Sequence, residues 1–263
     1  MINKGKNFYM KVILSKRFLL TTVIAILGIG TVSALSFDQQ QEFDNAPVVG
    51  MYRFVIPSEL QDAYNSVGVE NLTNSMIQEP NTLSMNVAHV KTNPTTSYVI
   101  EIYKDGNALD THRKSEHFQK YVNEVGSKLT NRKLYDVQPM LLMEKAEPLS
   151  AINDNTSVVS MTEFTIDKNE EDTILKQYQL DIERAIRDDV GYKAGYILRD
   201  RNNKTYWYVI QIYSDDVAYK KHVSSPGYRF AMGQIQPYLK NFKTEVLQGD
   251  ILVNHGGQSF LRN

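Results

Sequence analysis

Apolar residues along the chain change their spacing at regular intervals, which divides the chain into short predicted elements. The apolar run at residues 48–56 (VVGMYRFVI) predicts a strand, and apolar residues every three to four positions over 58–78 predict a helix. The same reasoning gives the remaining elements of this stretch: strands at 83–91 and 96–104, helical pieces at 106–112 and 115–128, and a last strand at 133–143. The order is β-α-β-β-α-β, the ferredoxin-like split motif.

This unit occurs twice in the chain. Sliding the sequence against itself by 110 residues superimposes the two copies without a gap. The matched residues include Tyr98-Val99-Ile100 with Tyr208-Val209-Ile210, and Asp105, His112 and Ser115 with Asp215, His222 and Ser225. A period this long does not suit a solenoid, so the pattern indicates a duplicated domain. The chain divides into repeat one (46–145), a linker (146–156), repeat two (157–253) and a tail (254–263).

One strand of each repeat is apolar on both faces. Residues 205–213 read TYWYVIQIY, and their counterparts 97–103 read SYVIEIY. A sheet with helices on one face and water on the other should alternate, so a second layer must cover these strands. The simplest cover is the sheet of the other repeat. The sequence therefore predicts an α+β fold in which tandem ferredoxin-like repeats form an intramolecular dimeric α+β barrel, with the helices outside.

The first residues have the order of a secretory signal. Basic Lys11, Lys16 and Arg17 precede an uncharged run at 18–37, and small residues at 32–34 suit a cleavage site. The segment 1–34 is therefore expected to be a signal peptide, and an uncleaved membrane anchor is the competing interpretation. In either case we expect the remaining chain to be exported, to the periplasm or the extracellular space, with membrane contact only through this segment if it stays attached.

Composition excludes several classes of function. The 29 basic and 30 acidic residues give a net charge of −1, which argues against a general nucleic-acid binder. The chain has 0 cysteines, so disulfides, thiolate catalysis and iron–sulfur clusters are excluded. His89 and His255 lack ligand spacing, and we predict no metal site and no bound cofactor.

Repeat one contains a specific succession of motifs: Glu79-Pro80-Asn81-Thr82-Leu83, Asn93-Pro94, the stretch from Tyr98 to Asp105, Ala108-Leu109, His112, Ser115, His117-Phe118 and Tyr121. With these motifs it resembles the antibiotic biosynthesis monooxygenase family, in particular its quinol monooxygenase branch. Members are usually single domains that form dimeric α+β barrels, which agrees with the duplication. The resemblance implies oxidation of a small aromatic or quinol-like substrate by molecular oxygen, without a cofactor. It also implies a pocket in each repeat, between the sheet and its helices.

Three residues of repeat one are candidate catalytic groups. Glu101 lies in the middle of an apolar strand, where burial raises the pKa of a carboxyl group unless a cation pairs with it. It could take a phenolic proton or hold a substrate hydroxyl, and the alternative is a buried ion pair with Arg53 or a lysine. His112 and His117 flank Ser115, a predicted helix N-cap, and a break there would let both imidazoles converge on the pocket.

The alternative for His112 is a structural hydrogen bond, since repeat two keeps this residue as His222. We expect Tyr98, Tyr103 and Phe118 to line an aromatic pocket, and assign His222 to substrate binding with them. Repeat two is otherwise diverged, because Gln211 replaces Glu101 and Gly227 replaces His117. Chemistry is therefore expected in repeat one.

The predicted function is an exported, cofactor-independent monooxygenase of the quinol type. Two alternatives stay open at this stage. One is a non-catalytic extracytoplasmic protein whose barrel binds an aromatic or lipophilic ligand. The other is an isomerase-like enzyme of the same fold family. Duplication also predicts an intramolecular pseudo-dimer, which could pair further.

Overall fold

A computed structural model of the chain describes residues 45–262. The predicted targeting segment lies outside these residues. Repeat one contains β1 (Val48–Val55), α1 (Gln61–Gln78), β2 (Thr82–Val90), β3 (Asn93–Tyr103), α2 (Gly106–Lys114), α3 (Glu116–Glu124), β4 (Thr130–Tyr135) and β5 (Val137–Glu144), followed by the short β6 (Ser150–Ile152). Repeat two contains β7 (Val158–Thr165), α4 (Glu171–Asp188), β8 (Tyr192–Asp200), β9 (Tyr206–Tyr213), α5 (Asp216–Ser224), α6 (Pro226–Ile235) and β10 (Lys240–Asn254), and β11 (Ser259–Leu261) follows.

The two repeats exchange their last strands. β4 pairs with β1 of its own repeat, and β5, which follows after Asp136, pairs with β8 of repeat two. β10 makes the reciprocal crossing, because its first part pairs with β7 and its second part with β2. All of these pairs are antiparallel and belong to one sheet. The sheet closes through the continuous segment 130–144 and forms the predicted intramolecular barrel.

The apolar side chains divide into three cores. Side chains from both repeats fill the barrel interior, and each repeat packs a second core between its strands and its own helices. β3 contributes to two cores, because Tyr98, Ile100 and Ile102 face the barrel interior while Val99 and Tyr103 face the helices. This confirms why the strand is apolar on both faces.

A serine breaks the helical region of each repeat, as predicted. Ser115 is extended (φ −66°, ψ 148°), and its Oγ accepts a hydrogen bond from the Phe118 backbone N–H at 3.3 Å. Ser225 has the same conformation, with Pro226 at the first turn of α6. Because the backbone turns at Ser115, α3 carries His117 back toward His112 rather than away around one continuous helix.

Membrane-spanning helices were sought in the described part of the chain. Within residues 45–262, no helix has both the length and the apolar character that crossing a membrane requires.

Candidate active site

Repeat one encloses a pocket between its sheet and its helices. Apolar and aromatic side chains form most of its wall, among them Phe54, Leu72, Val87, Val99, Leu109, Phe118, Val122 and Ile251. The polar residues on this wall include Tyr52, Asn71, Glu101, His112 and Arg113. A mostly apolar pocket with a few convergent polar groups is the usual form of a small-molecule site.

Glu79, at the end of α1, organises the polar side of the site. Its Oε1 lies 2.7 Å from His117 Nε2, and its Oε2 lies 3.1 Å from His112 Nδ1. The same Oε2 accepts a hydrogen bond from the Thr82 hydroxyl at 2.7 Å. All three of Glu79, His112 and His117 are buried. The carboxylate thus holds both imidazoles that the sequence predicted would converge.

The protonation state of Glu79 fixes the tautomers of the histidines. Burial pushes the pKa of Glu79 upward, but hydrogen bonds and charge from His112, Thr82 and His117 outweigh it and lower the pKa to about 2. An ionised carboxylate only accepts hydrogen bonds, so His112 Nδ1 and His117 Nε2 must carry the protons. In a neutral His112 the other nitrogen, Nε2, is then an acceptor. It is buried and has no hydrogen-bond partner.

Glu101 is a second buried carboxyl group on the pocket wall. Burial raises its pKa, although the charges of His112 and Arg113 and a hydrogen bond from Tyr103 act against the shift. The Tyr103 hydroxyl donates to Glu101 Oε2 at 3.0 Å. Arg113 hydrogen-bonds the Tyr52 side chain, which lies beside Glu101. Glu101 is therefore a buried carboxyl group whose pKa lies above its usual range, and its described contacts do not include the ion pair with Arg53 that we considered.

The structure brings some of the predicted residues together and separates others. Glu101, His112 and Phe118 line the pocket, and the ring centroids of His112 and Phe118 are 4.7 Å apart. Tyr103 lies behind Glu101, to which it donates. His117 is hydrogen-bonded to Glu79 and helps to position that carboxylate.

Tyr98 and His222 lie outside this pocket. Tyr98 and Tyr103 are five residues apart on one strand, so their side chains point to opposite faces. Tyr98 lines a polar cavity at one end of the barrel, where its hydroxyl donates to Glu245 at 2.9 Å. His222 is buried in repeat two, with Nδ1 3.0 Å from Asp189. Neither can contact a ligand held between α1 and β3.

The expectation of an equivalent pocket in each repeat needs correction. The counterpart of Gly68, which lines the pocket, is Tyr178 in repeat two, where it stacks on Phe164. Thr82 and Ser97 are replaced by Tyr192 and Trp207, whose side chains are fully buried. Large aromatic side chains therefore occupy the helix-facing layer of repeat two.

The polar cluster of repeat two is also different. Arg184 contacts Asp181 at 2.8 Å and Asp189 at 3.4 Å. A Cβ atom placed on Gly227, the counterpart of His117, would lie 2.4 Å from Arg184 Nε. The guanidinium thus takes the space that an imidazole occupies in repeat one.

Three functional residues were not assigned from the sequence: Glu79, Asn71 and Arg113. Glu79 entered only as part of the family motif. A signal for it was available, since both repeats carry an acid at this position, Glu79 and Asp189. Asn71 and its counterpart Asp181 are likewise both polar on a buried helix face.

Glu79, His112 and His117 are also the described residues that could hold a metal ion. Each offers one ligand atom, and these atoms lie within 4.8 Å of one another. Two imidazoles and a carboxylate suit Zn²⁺, Mn²⁺ or Fe²⁺. The same atoms satisfy one another by hydrogen bonds without an ion. The absence of a metal thus stays a prediction, taken up again below.

The fold is an α+β barrel built from two ferredoxin-like repeats, with a mostly apolar pocket in repeat one. The model of the antibiotic biosynthesis monooxygenase family matches residues 47–124 and 157–234, together more than half of the chain. The chain therefore belongs to this family, with two tandem copies of its domain.

Solved structures with the same two-repeat extent support this assignment at the level of fold. A candidate monooxygenase from Lactobacillus acidophilus NCFM superimposes with a TM-score of 0.74 at 20% identity, covering 82% of this chain and 99% of that one. One from Fusobacterium nucleatum gives a TM-score of 0.73 at 20% identity, with 83% and 99% covered. No curated protein sequence matches the chain.

Proposed function

We propose that this protein is an oxygen-dependent monooxygenase that oxidises a small, hydroxylated aromatic or quinol-like molecule in the pocket of repeat one, without a cofactor. The observation that carries the proposal is the Glu79–His112 pair. It leaves a buried imidazole nitrogen unpartnered on a pocket wall that is otherwise mostly apolar. Family membership supports the reaction type.

In this proposal His112 is the general base. Its Nε2 takes the proton of a substrate hydroxyl, while the Nδ1–H bond to Glu79 orients the ring and stabilises the imidazolium that forms. His117 and Thr82 hold Glu79 in turn, so both are positioning residues. Glu101 lies on the same wall and can hold a substrate hydroxyl.

Deprotonation makes the ring electron-rich enough to react with molecular oxygen. One oxygen atom enters the ring, the other leaves as water, and the substrate supplies all four electrons, so a quinol becomes a hydroxyquinone. Apolar residues such as Leu109, Val122 and Ile251 exclude water while the anion reacts.

Oxygen uptake tests the proposal. The full chain is supplied with reduced naphthoquinols and anthrols under ¹⁸O₂, beside His112→Gln. We expect uptake above autoxidation, one ¹⁸O atom in the product and loss of this activity in the variant. Stoichiometric hydrogen peroxide with no label in the product would identify an oxidase instead. Tight binding without uptake across the panel would select the non-catalytic binding protein.

The proposal places this chemistry outside the cytoplasm. It rests on the order of basic, apolar and small residues in segment 1–34. Amino-terminal sequencing of the protein from fractionated cells tests it. A new terminus after residue 34 in the exported fraction is expected, and an intact chain confined to the cytoplasm would contradict it.

A further inference from the structure

Two buried polar atoms on the pocket wall of repeat one have no hydrogen-bond partner. They are Asn71 Oδ1 and His112 Nε2. Asn71 is 2% exposed and His112 is 1% exposed, so bulk water does not satisfy these atoms. Buried polar groups are nearly always paired in native proteins, and each exception needs an explanation.

Repeat two shows where these atoms point. The counterparts of Asn71 and His112 are Asp181 and His222, and there Asp181 Oδ2 lies 3.3 Å from His222 Nε2. Asp181 also accepts from Arg184 at 2.8 Å. Since the two repeats share their fold, Asn71 Oδ1 and His112 Nε2 face a common point beside Glu101. Repeat one has Asn74 in place of Arg184, and neither Asn71 Oδ1 nor His112 Nε2 has a hydrogen-bond partner there.

Both atoms are hydrogen-bond acceptors. An amide oxygen only accepts, and in a neutral His112 the Nε2 atom also accepts, because Nδ1 carries the proton toward Glu79. No donor of the described residues reaches either atom, so a ligand that brings a donor would satisfy both. A hydroxyl on an aromatic ring is the donor that suits a mostly apolar pocket.

We propose that Asn71 binds the substrate and, with His112, forms a paired acceptor site that selects ligands by their hydroxyl groups. The inference rests on the proposed function for the ring-shaped ligand and adds the group that is recognised. One hydroxyl donates to His112 Nε2, and an adjacent hydroxyl on the same ring donates to Asn71 Oδ1. A methyl ether of the same ring has no proton to donate and leaves both acceptors unpaired.

This assignment predicts an unusual combination of stability and binding for the Asn71→Leu variant. If Asn71 were structural, leucine would remove a useful hydrogen bond and lower the stability. Because Oδ1 has no partner in the protein, leucine instead removes an unsatisfied buried atom, and the free energy of unfolding should stay equal or rise. Ligand binding should weaken at the same time.

The test measures binding without turnover, under strict exclusion of oxygen. Wild type, Asn71→Leu and the smaller Asn71→Ala are titrated with 1,2-dihydroxynaphthalene and 1,2-dimethoxynaphthalene, and urea unfolding is followed in parallel. Both variants should bind the dihydroxy ligand at least about tenfold more weakly and the dimethoxy ligand within about twofold of wild type. Asn86→Leu is the control outside the pocket. Asn86 Oδ1 is also buried and unpartnered, but its Nδ2 donates to Ser84 Oγ at 2.8 Å, so this variant should lose stability without a change in ligand binding.

Three results would overturn the inference: no binding of the dihydroxy ligand by wild type, equal weakening of both ligands, or a marked loss of stability in Asn71→Leu. The proposed oxidation fails separately. Hydroxyl-selective binding without oxygen uptake in air would leave Asn71 assigned and remove the enzyme. Oxygen uptake that stays unchanged in Asn71→Leu would support the enzyme and remove the assignment of Asn71.

Discussion

The two repeats share one fold and use their helix-facing layers in opposite ways. Repeat one has Gly68, Thr82 and Ser97 where repeat two has Tyr178, Tyr192 and Trp207. These three aromatic side chains are at most 4% exposed and fill the layer between sheet and helices. Repeat one keeps a pocket in that place. One copy therefore contributes a close-packed core, and the other forgoes some packing in order to bind a ligand.

The polar clusters differ in the same sense. In repeat two Arg184 bridges Asp181 and Asp189. In repeat one Glu79 holds two imidazoles, and the outward nitrogen of His112 stays unpartnered. In repeat two a guanidinium bridges two carboxylates, although Asp181 Oδ2 and Arg184 Nε have no hydrogen-bond partner there. An unsatisfied buried polar atom costs roughly 1–3 kcal/mol, and in repeat one such atoms lie on the wall of a pocket. The comparison teaches that unmet hydrogen bonds indicate a site where a pocket adjoins them, and that the shared histidine alone does not.

The largest expected effect is on catalysis and separates the two histidines. His112→Gln removes the proposed base, and we expect kcat/KM for oxygen uptake to fall by about 10²–10⁴-fold. His222→Gln in repeat two should change it by less than about twofold, provided circular dichroism shows an intact fold, because His222 contacts no part of the pocket. Similar losses in both variants, with both folded, would mean that the repeats act as one site.

Packing gives the next largest effect. Tyr178→Ala in repeat two should lower the free energy of unfolding by about 3 kcal/mol, since it leaves a cavity under Phe164. The opposite change, Gly68→Ala in repeat one, places a methyl group where no atom lies within 4 Å and should stabilise α1 by about 1 kcal/mol. Urea unfolding measures both. If Tyr178→Ala stabilised the protein or Gly68→Ala destabilised it, the contrast between the close-packed layer of repeat two and the pocket of repeat one would be wrong.

Much of the fold could be predicted from the sequence because its signals are local or repetitive. The offset of 110 residues revealed the duplication, and the apolar faces of TYWYVIQIY required a second covering layer, which closed the barrel. Ser115 predicted the helix break because a cap depends on its own residue and the next turn.

The site was harder to predict because its contacts join distant parts of the chain. Glu79 is hydrogen-bonded to His112 and His117, which lie 33 and 38 residues further along the chain. The spacing of apolar residues does not predict contacts over such distances. The prediction for Tyr98 was wrong for a different reason. Its aromatic side chain suggested a place on the pocket wall, but the alternation of side chains along the strand directs it into the barrel interior. Whether Asn71 is satisfied depends on every neighbouring donor and could not be read from the residue alone.

Acid should weaken the cluster of repeat one. The pKa of Glu79 in the folded protein, about 2, lies below its ordinary value of 4.5, so the stabilisation is complete above pH 4.5 and is lost as the pH falls toward 2. Between pH 6 and pH 3, wild type should lose about 2 kcal/mol more unfolding free energy than Glu79→Gln. Urea midpoints measure this, with Glu70→Gln on the same helix as the control. Parallel losses in wild type and Glu79→Gln would show that Glu79 is not ionised in the folded protein.

The smallest expected effect concerns whether a cation lies at the centre of each polar cluster. Repeat two carries a permanent one, because Arg184 occupies the space beside Gly227. In repeat one the described contacts of Glu79 include no arginine or lysine, only two imidazoles, the Thr82 hydroxyl and backbone groups. Either the imidazoles balance the carboxylate by hydrogen bonding, or a divalent ion takes the place that the guanidinium fills in repeat two. We predict the former, because each oxygen of Glu79 already accepts at least one hydrogen bond.

Metal removal decides between these two arrangements. Dialysis against a chelator should change oxygen uptake by less than about twofold, and metal analysis should find no stoichiometric ion before or after. The comparison variants are His117→Ala, inside the cluster, and His89→Ala, whose imidazole pairs with Asp250 elsewhere. Activity that disappears on chelation and returns with Fe²⁺ or Mn²⁺ would make His112 a metal ligand, provided that only His117→Ala loses the ion. The role of base would then pass to Glu101, the carboxyl group on that wall.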